Sequence, residues 1–189
     1  PPRPYVLHAG RFAEGKRHDV LLDAFAASGI PHNLILLTNP SADLDRMIEA
    51  RGLSSRVSVI EFQDNPYPWY AGASALILSS DHEGLPNVLI EALACGTPVV
   101  STDCPSGPRE ILQGALARYL SPVGDVGALA RNLRSVVEAP PRIDPKTLDK
   151  FSLGPALDKF EALAVGRSGR GDGRNNRLWP GAPATGSTN

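Results

Sequence analysis

The sequence predicts an α/β fold, namely a single Rossmann-like, doubly wound parallel sheet of about six strands. A series of short runs is apolar nearly throughout, as strands buried on both faces of a parallel sheet are. Segments with helical apolar spacing alternate with these runs over residues 5–138, which indicates right-handed crossovers. Because ligands of such sheets bind beyond the carboxyl ends of the strands, the residues that follow each strand are the candidates for function.

The predicted elements follow one another in a regular order along the chain. The apolar runs predicted as strands are Tyr5–Ala9, Asn33–Thr38, Val57–Glu61, Ala75–Ser79, Pro98–Thr102 and Arg118–Ser121. Apolar residues at helical spacing predict helices around Val20–Phe25, Leu44–Ile48, Val88–Leu93 and Leu129–Val137. The sequence Ala139-Pro140-Pro141 is expected to end the last of these helices.

Length and composition limit the chain to one ordinary domain with a tail. It has 189 residues, of which 42% are hydrophobic, so a real core can form. We predict one domain over residues 1–165, with its core at 5–138 and a C-terminal helix at about 153–165. Residues 166–189 are rich in Gly, Arg, Asn and Pro and are predicted to be a disordered tail.

Charge and the absence of targeting signals exclude several classes of partner. The net charge of −1 gives no general attraction to nucleic acid. No apolar run is long enough to span a bilayer, and Pro1-Pro2-Arg3-Pro4 does not resemble the start of a signal peptide. Cys95 and Cys104 form no CxxC pair and are too few for a disulfide scaffold. We therefore expect a cytoplasmic protein, with peripheral association with the inner face of the membrane left open.

A phosphate-type loop follows the first predicted strand. Gly10, Gly15 and Lys16 match the P-loop pattern up to its last position, where Arg17 replaces the Ser or Thr that holds magnesium. This replacement disfavours an NTPase. If Lys16 opens a helix, the free backbone N–H groups and the helix dipole favour an anion there. Arg11 and Lys16 could then neutralise a departing diphosphate. Alternatively, both are solvated surface cations or pair with Glu14.

Two carboxylates, Glu83 and Glu91, flank the start of the third predicted helix. Glu83 lies in the turn after the fourth strand, and Glu91 lies eight positions later. Ionised carboxylates only accept hydrogen bonds, so Glu83 suits a hexose and Glu91 suits a ribose diol. Glu91 could equally be an exposed helix residue. His82, beside Glu83, is either a substrate contact or a plain loop histidine.

Three aromatic residues and one acidic tripeptide have more than one interpretation. Tyr67, Trp69 and Tyr70 follow the third strand and either border a nucleotide base or pack beneath that loop. Asp43-Leu44-Asp45 spells a manganese-binding tripeptide, but its place in the first turn of a helix favours a structural role. The histidines show no metal-ligand spacing, so no metal site is predicted.

The residues from Glu83 to Val100 closely resemble the signature of glycosyltransferase family 4. The segment from Gly10 to Phe25 resembles the phosphate loop and first helix of that family, and Phe62–Pro68 and Ser106–Ile111 match in type and order. The resemblance covers roughly residues 5–138. It implies a retaining transferase of two Rossmann-like domains, of which this chain corresponds to the C-terminal, donor-binding half.

The resemblance also implies roles for particular residues. Arg11 and Lys16 would bind the diphosphate and assist the leaving group, Glu83 would contact the donor sugar, and Glu91 would bind the ribose. The catalytic group is thus Arg11, Lys16 and Glu83, and no divalent metal is needed. The donor-binding positions are Gly10, His82, Gly84, Leu85, Pro86, Asn87, Val88 and Glu91.

Two departures from the family stand out. The family commonly has a Gly-x-Gly turn after the second strand, where this chain has Thr38-Asn39-Pro40-Ser41. An N-terminal acceptor domain is expected to be absent, because only a few residues precede the first strand. We therefore expect transfer from a nucleotide sugar, with a UDP-sugar favoured over a GDP-sugar, to a glycan or lipid-linked acceptor in bacterial polysaccharide synthesis. The alternatives are a nucleotide-binding module that needs a separate acceptor domain and, more distantly, a nucleotide-sugar epimerase.

The absent acceptor domain generates a first prediction. Efficient transfer needs a closed, water-excluding and oriented site. The isolated chain should therefore bind nucleotide weakly and should not transfer sugar. Radiolabelled UDP-sugar incubated with the purified chain and an added acceptor would check this, and robust transfer would contradict it. An epimerised sugar formed without acceptor would support the epimerase instead.

Overall fold

The computed structural model describes residues 4–151 and contains one six-stranded parallel sheet. Its strands are β1 (Tyr5–Ala9), β2 (Asn33–Leu37), β3 (Val57–Ile60), β4 (Ala75–Leu78), β5 (Val99–Thr102) and β6 (Leu120–Ser121). Their spatial order is β3-β2-β1-β4-β5-β6, which confirms the predicted doubly wound sheet. The order reverses between β1 and β4, and a crevice forms at that point. The predicted helix at about 153–165 and the tail at 166–189 lie outside the described residues.

The strands form because their side chains are apolar on both faces. Every residue of β1, β4 and β5 is buried, and Val6 of β1 lies in register with Leu34 on one side and Ala75 on the other. Five of the predicted strands differ from the observed ones by at most one residue at an end. The sixth prediction was too long, because Arg118 and Tyr119 belong to the 3-10 segment Gly114–Tyr119.

Helices cover both faces of the sheet. They are α1 (His18–Ser28), α2 (Ala42–Glu49), α3 (Tyr67–Gly72), α4 (Asn87–Ala94), α5 (Pro108–Ile111) and α6 (Val126–Glu138), with further 3-10 segments at Glu14–Lys16 and Pro145–Phe151. Asp125 is the N-cap of α6, and its Oδ1 accepts a hydrogen bond from the backbone N of Ala128 at 2.8 Å. It ends at Glu138 before the prolines, as predicted. No helix within residues 4–151 has the length and apolar character that crossing a bilayer requires.

The start of α1 differs from the prediction. Lys16 does not open the helix: it ends a short 3-10 turn, and α1 begins at His18. The reason is Arg17, whose φ of 48° and ψ of 56° are a left-handed conformation. Arg17 is the only non-glycine residue within 4–151 that has a positive φ. Such a conformation costs about 1–2 kcal/mol for an L-residue, so surrounding contacts must hold it in place.

Gly107, at the start of α5, packs directly against the turn that precedes α4. Its φ is +85°, and a Cβ atom there would lie 2.0 Å from the carbonyl oxygen of Gly84 and 2.4 Å from Cδ of Pro86. The loop after β5 therefore supports the Gly84–Pro86 turn through a contact that only glycine allows.

This contact predicts that Gly107→Ala destabilises the fold beyond the cost of its backbone conformation. Gly124→Ala is the matched control, because Gly124 has φ +76° but nothing within 4 Å of its would-be Cβ. Gly107→Ala should lose about 1–3 kcal/mol more than Gly124→Ala, from overpacking against Gly84 and Pro86 together with a backbone conformation (φ 85°, ψ −67°) outside the left-handed helical region. Urea unfolding measures the difference. Equal losses in the free energy of unfolding would show that the Gly84–Pro86 turn moves aside for the added methyl group without cost.

Two histidines lie in the core beneath the loop after β1. His8 and His18 are 0% and 2% exposed, and their ring centroids are 4.9 Å apart in an edge-to-face arrangement. Nδ1 of His8 lies 3.0 Å from the carbonyl oxygen of Ile77, which assigns the hydrogen to Nδ1. Nε2 of His8 and both ring nitrogens of His18 have no hydrogen-bond partner within the described residues. Burial lowers the pKa of His8 to about 3 and that of His18 to about 4.

These two neutral imidazoles predict acid sensitivity. Between pH 6.5 and about 4 the unfolded chain binds more protons than the folded chain, so the free energy of unfolding falls as the pH falls. Each histidine contributes up to about 1.4 kcal/mol per pH unit in that range. Urea unfolding at about pH 7 and about pH 5 measures the loss.

The double variant His8→Leu/His18→Leu should flatten this pH dependence. His82→Gln is the control for the loss of a histidine as such, because His82 is exposed. A double variant with the same pH dependence as the unaltered chain would contradict the assignment.

Candidate functional site

The candidate site lies at the carboxyl edge of the sheet, where the loop after β1 meets the loop after β4. The backbone N of Asp81 donates to the carbonyl oxygen of Gly15 at 2.9 Å. The Oγ of Ser79 donates to the carbonyl oxygens of Lys16 and Arg17 at 2.7 and 3.0 Å. These bonds join two segments that lie more than sixty residues apart in sequence into one surface.

Arg17, the residue that departs from the P-loop pattern, is fully engaged by protein carboxylates. Its guanidinium lies 2.9 Å from Oδ2 of Asp19 and 3.1 Å from Oδ1 of Asp81. The hydrogen bonds from Arg17 lower the pKa of Asp19. These ion pairs hold the left-handed residue and fasten the β1 loop to the β4 loop, so the charge of Arg17 is neutralised within the protein.

Lys16 and Glu83, both predicted catalytic residues, are in direct contact. The Nζ of Lys16 lies 2.6 Å from Oε1 of Glu83, which also accepts a hydrogen bond from Oγ of Ser80 at 2.6 Å. The Oγ of Ser106 donates to the Glu83 carbonyl oxygen at 2.6 Å. The Glu83 side chain is only 10% exposed, and no donor within residues 4–151 binds its Oε2. One carboxylate oxygen is thus fixed and the other is free.

A cleft of about 420 Å³ lies beside Lys16, although neither Lys16 nor Glu83 is among the residues that line it. It brings together four predicted site residues, Gly10, Arg11, Val88 and Glu91. The other lining residues are Ala9, Leu37, Thr38, Asn39, Phe62, Gln63, Asp64, Pro66, Tyr67 and Tyr70. Lys16 reaches the same region, since its Cε is 4.0 Å from where a Cβ of Gly10 would stand.

Arg11 differs from Arg17 in having no protein partner. It is exposed, lines the cleft and makes no hydrogen bond or ion pair within the described residues. Neither Arg11 nor Lys16 pairs with Glu14 within residues 4–151, so that pairing is wrong, while the alternative of a solvated surface cation stays open for Arg11. Arg11 is therefore a cation at the cleft wall whose charge the fold leaves available to an anionic ligand.

Glu91 faces the cleft rather than bulk solvent. The Oη of Tyr70 donates to Oε2 of Glu91 at 3.0 Å. Burial, followed by the charge of Glu91, raises the pKa of Tyr70, so the phenol stays protonated and remains a donor. The structure thus answers the question of which face Glu91 occupies.

The remaining predicted site residues lie on the turn before α4. His82, Leu85 and Asn87 are exposed and are not among the residues that line the cleft. Gly84 and Pro86 pack against Gly107. These residues form the rim beside Glu83, and their predicted contacts with a donor remain predictions.

The aromatic residues after β3 divide between the cleft and the core, and contact with a nucleotide base stays a prediction. Tyr67 is half exposed and lines the cleft, and Tyr70 lines the cleft while its ring is buried. Trp69 packs against the core and does not line the cleft. The Tyr70–Glu91 bond was not predicted, and neither was the cleft wall formed by Thr38 and Asn39. The bond and the cleft wall could both have been looked for once the predicted topology placed β2 and β3 beside β1.

The acidic tripeptide on α2 has the structural role that was predicted. Asp43 pairs with Arg46 and its backbone N is capped by Ser41, and Asp45 is exposed. Within residues 4–151, no group of three or more His, Cys, Asp or Glu side chains could hold a metal ion.

Known proteins resemble this chain in sequence and in fold. A relative from Campylobacter jejuni, N-acetylgalactosamine-N,N'-diacetylbacillosaminyl-diphospho-undecaprenol 4-alpha-N-acetylgalactosaminyltransferase, is 32% identical over 136 residues, covering 71% of this chain and 37% of the relative. The apo structure of the lipopolysaccharide outer core galactosyltransferase WaaB matches with a TM-score of 0.72 and 26% identity, covering 88% of this chain and 51% of that one.

A further solved structure shares the fold. A mutant of TarM from S. aureus, in complex with Fondaparinux, alpha-GlcNAc-glycerol and UDP, matches with a TM-score of 0.76 and 20% identity, covering 86% of this chain and 36% of that one. This chain therefore spans between about a third and a half of the length of these proteins. The profile of the family described as Glycosyl transferases group 1 matches residues 3–139, and the chain belongs to that glycosyltransferase family.

Proposed function

We propose that this chain is the nucleotide-sugar-binding part of a retaining glycosyltransferase of family 4. The observation that carries the proposal is that Arg11 and Glu91 line one cleft at the carboxyl edge of the sheet, with Lys16, paired to Glu83, beside Gly10 of the same cleft. Cations for a diphosphate and carboxylates for sugar hydroxyls are both needed to hold a nucleotide sugar, and both are present there.

The cations would bind the diphosphate. Arg11 has no partner among residues 4–151, and its guanidinium offers a fork of donors that matches phosphate geometry. Lys16 contacts Glu83, but an ammonium group has three N–H donors and can bind a carboxylate and a phosphate together. Negative charge grows on the nucleoside diphosphate as the glycosidic bond breaks, and these preorganised cations would stabilise it without a metal ion.

Glu83 would orient the donor sugar. Lys16 and Ser80 hold one oxygen of its carboxylate, which leaves Oε2 to accept a hydrogen bond from a sugar hydroxyl. Its link to Lys16 would keep the sugar-binding group and the phosphate-binding group at a fixed spacing. Retention of anomeric configuration is proposed from the resemblance to family 4.

The cleft would hold the nucleoside. Glu91 would accept from the ribose diol, and the aromatic rings of Phe62 and Tyr67 offer faces for the base. The TarM structure contains UDP, which favours a uridine nucleotide. The Campylobacter relative is named for transfer to a diphospho-undecaprenol saccharide, so we propose a glycan or lipid-linked acceptor bound by a separate acceptor domain.

Calorimetric titration tests the separate roles proposed for Arg11 and Glu91. The ligands are UDP, GDP, their sugars and inorganic pyrophosphate, with and without EDTA. Arg11→Ala should weaken every ligand by about tenfold, because it removes a charge-assisted hydrogen bond to phosphate. Glu91→Ala should weaken the nucleotides by a similar factor and leave pyrophosphate unchanged. EDTA should change nothing.

Arg46→Ala is the control, since it removes an exposed positive charge from α2. An equal loss in this variant would show that net charge alone drives affinity. Binding of pyrophosphate that Arg11→Ala leaves intact, or UDP binding abolished by EDTA, would contradict the proposal.

A further inference from the structure

We infer that Tyr70 is a positioning residue that holds the Glu91 carboxylate in the orientation that accepts a ribose diol. This inference rests on the proposed function of the same cleft. The role of Tyr70 in nucleotide binding is indirect. It would act through Glu91.

The phenol of Tyr70 is the sole donor to the Glu91 carboxylate within residues 4–151. Its Oη lies 3.0 Å from Oε2, and no cation or other hydrogen-bond donor of the described residues reaches either carboxylate oxygen. A glutamate on a helix surface would otherwise rotate among several staggered conformers. The single bond at Oε2 selects one of them, while Oε1 and the second lone pair of Oε2 stay open to neighbouring hydroxyl groups.

Tyr70 can serve as this anchor because its own position is fixed. It is 2% exposed, its backbone N donates to the Pro66 carbonyl oxygen at 3.1 Å, and its carbonyl oxygen accepts from Oγ1 of Thr97 at 2.6 Å. Thr97 follows the end of α4, the helix that carries Glu91. The bond from Thr97 holds Tyr70 of α3 to the segment that follows α4 without using the phenol oxygen. That oxygen is left to orient the Glu91 carboxylate.

A phenol suits this position because it donates a hydrogen bond to Glu91 while remaining neutral. A lysine or arginine in place of Tyr70 would also fix Glu91, but it would neutralise the charge that attracts the hydroxyl hydrogens of a diol. A phenol orients the carboxylate and leaves its negative charge in place. A carboxylate held before the ligand arrives loses less conformational freedom on binding, which raises affinity.

The test compares UDP with 2′,3′-dideoxyuridine diphosphate, which lacks both ribose hydroxyls. Tyr70→Phe removes only the phenol oxygen and should weaken UDP about tenfold while leaving the dideoxy nucleotide unchanged. Combining Tyr70→Phe with Glu91→Ala should weaken UDP no further than Glu91→Ala alone.

Tyr5→Phe is the matched control. This variant removes the buried hydroxyl of Tyr5, which donates at 2.8 Å to the carbonyl oxygen of Trp69 on α3, the helix that also carries Tyr70. It should lower stability to urea about as much as Tyr70→Phe and leave both affinities unchanged. If Tyr70→Phe reduces the folded fraction, both nucleotides weaken together, so the ratio of the two affinities still isolates the hydroxyl.

Equal weakening of both nucleotides by Tyr70→Phe, or no change in UDP affinity, would overturn the positioning role. Failure of the unaltered chain to bind UDP would instead contradict the proposed function. The two failures are therefore distinguished in one set of titrations.

Discussion

The loop after β1 and the loop after β4 are bound to each other by a set of polar contacts, and the geometry of the candidate site depends on that connection. Arg17 bridges to Asp81, Ser79 binds the carbonyl oxygens of Lys16 and Arg17, and Lys16 reaches Glu83. The strand order places these loops side by side, since β1 and β4 are neighbours at the reversal of the sheet. Without these contacts, the positively charged loop and the acidic turn would be independent surface segments.

Two arginines of the same loop have different roles in the fold: one stabilises the loop, and the other presents its charge to the cleft. Arg17 gives its guanidinium to two aspartates and its backbone takes an unfavourable conformation, so it stabilises the loop. Arg11, six positions earlier, has no partner within residues 4–151 and faces the cleft. The sequence predicted a ligand-binding role for Arg11, but it did not predict the structural role of Arg17.

The sheet was predictable because its strands are buried on both faces, which leaves a continuous apolar signal in the sequence. Gly10, Arg11, Val88 and Glu91 line the cleft, because the first two directly follow β1 and the other two lie on α4, the helix that follows β4. Arg17 could not be predicted, since a left-handed non-glycine residue depends on Asp81, 64 positions away. The Tyr70–Glu91 bond was missed for the same reason: it joins two helices that only the folded sheet brings together.

Trp69 lies beside Tyr70 on α3, with its ring packed against the core. It is the one tryptophan among residues 4–151, and Trp179 is the other in the chain. An intrinsic fluorophore therefore lies next in sequence to Tyr70, which lines the cleft, and replacing Trp179 with phenylalanine would leave Trp69 as the single tryptophan emitter. Its emission would report both occupancy of the neighbouring cleft and loss of native packing, without any attached dye.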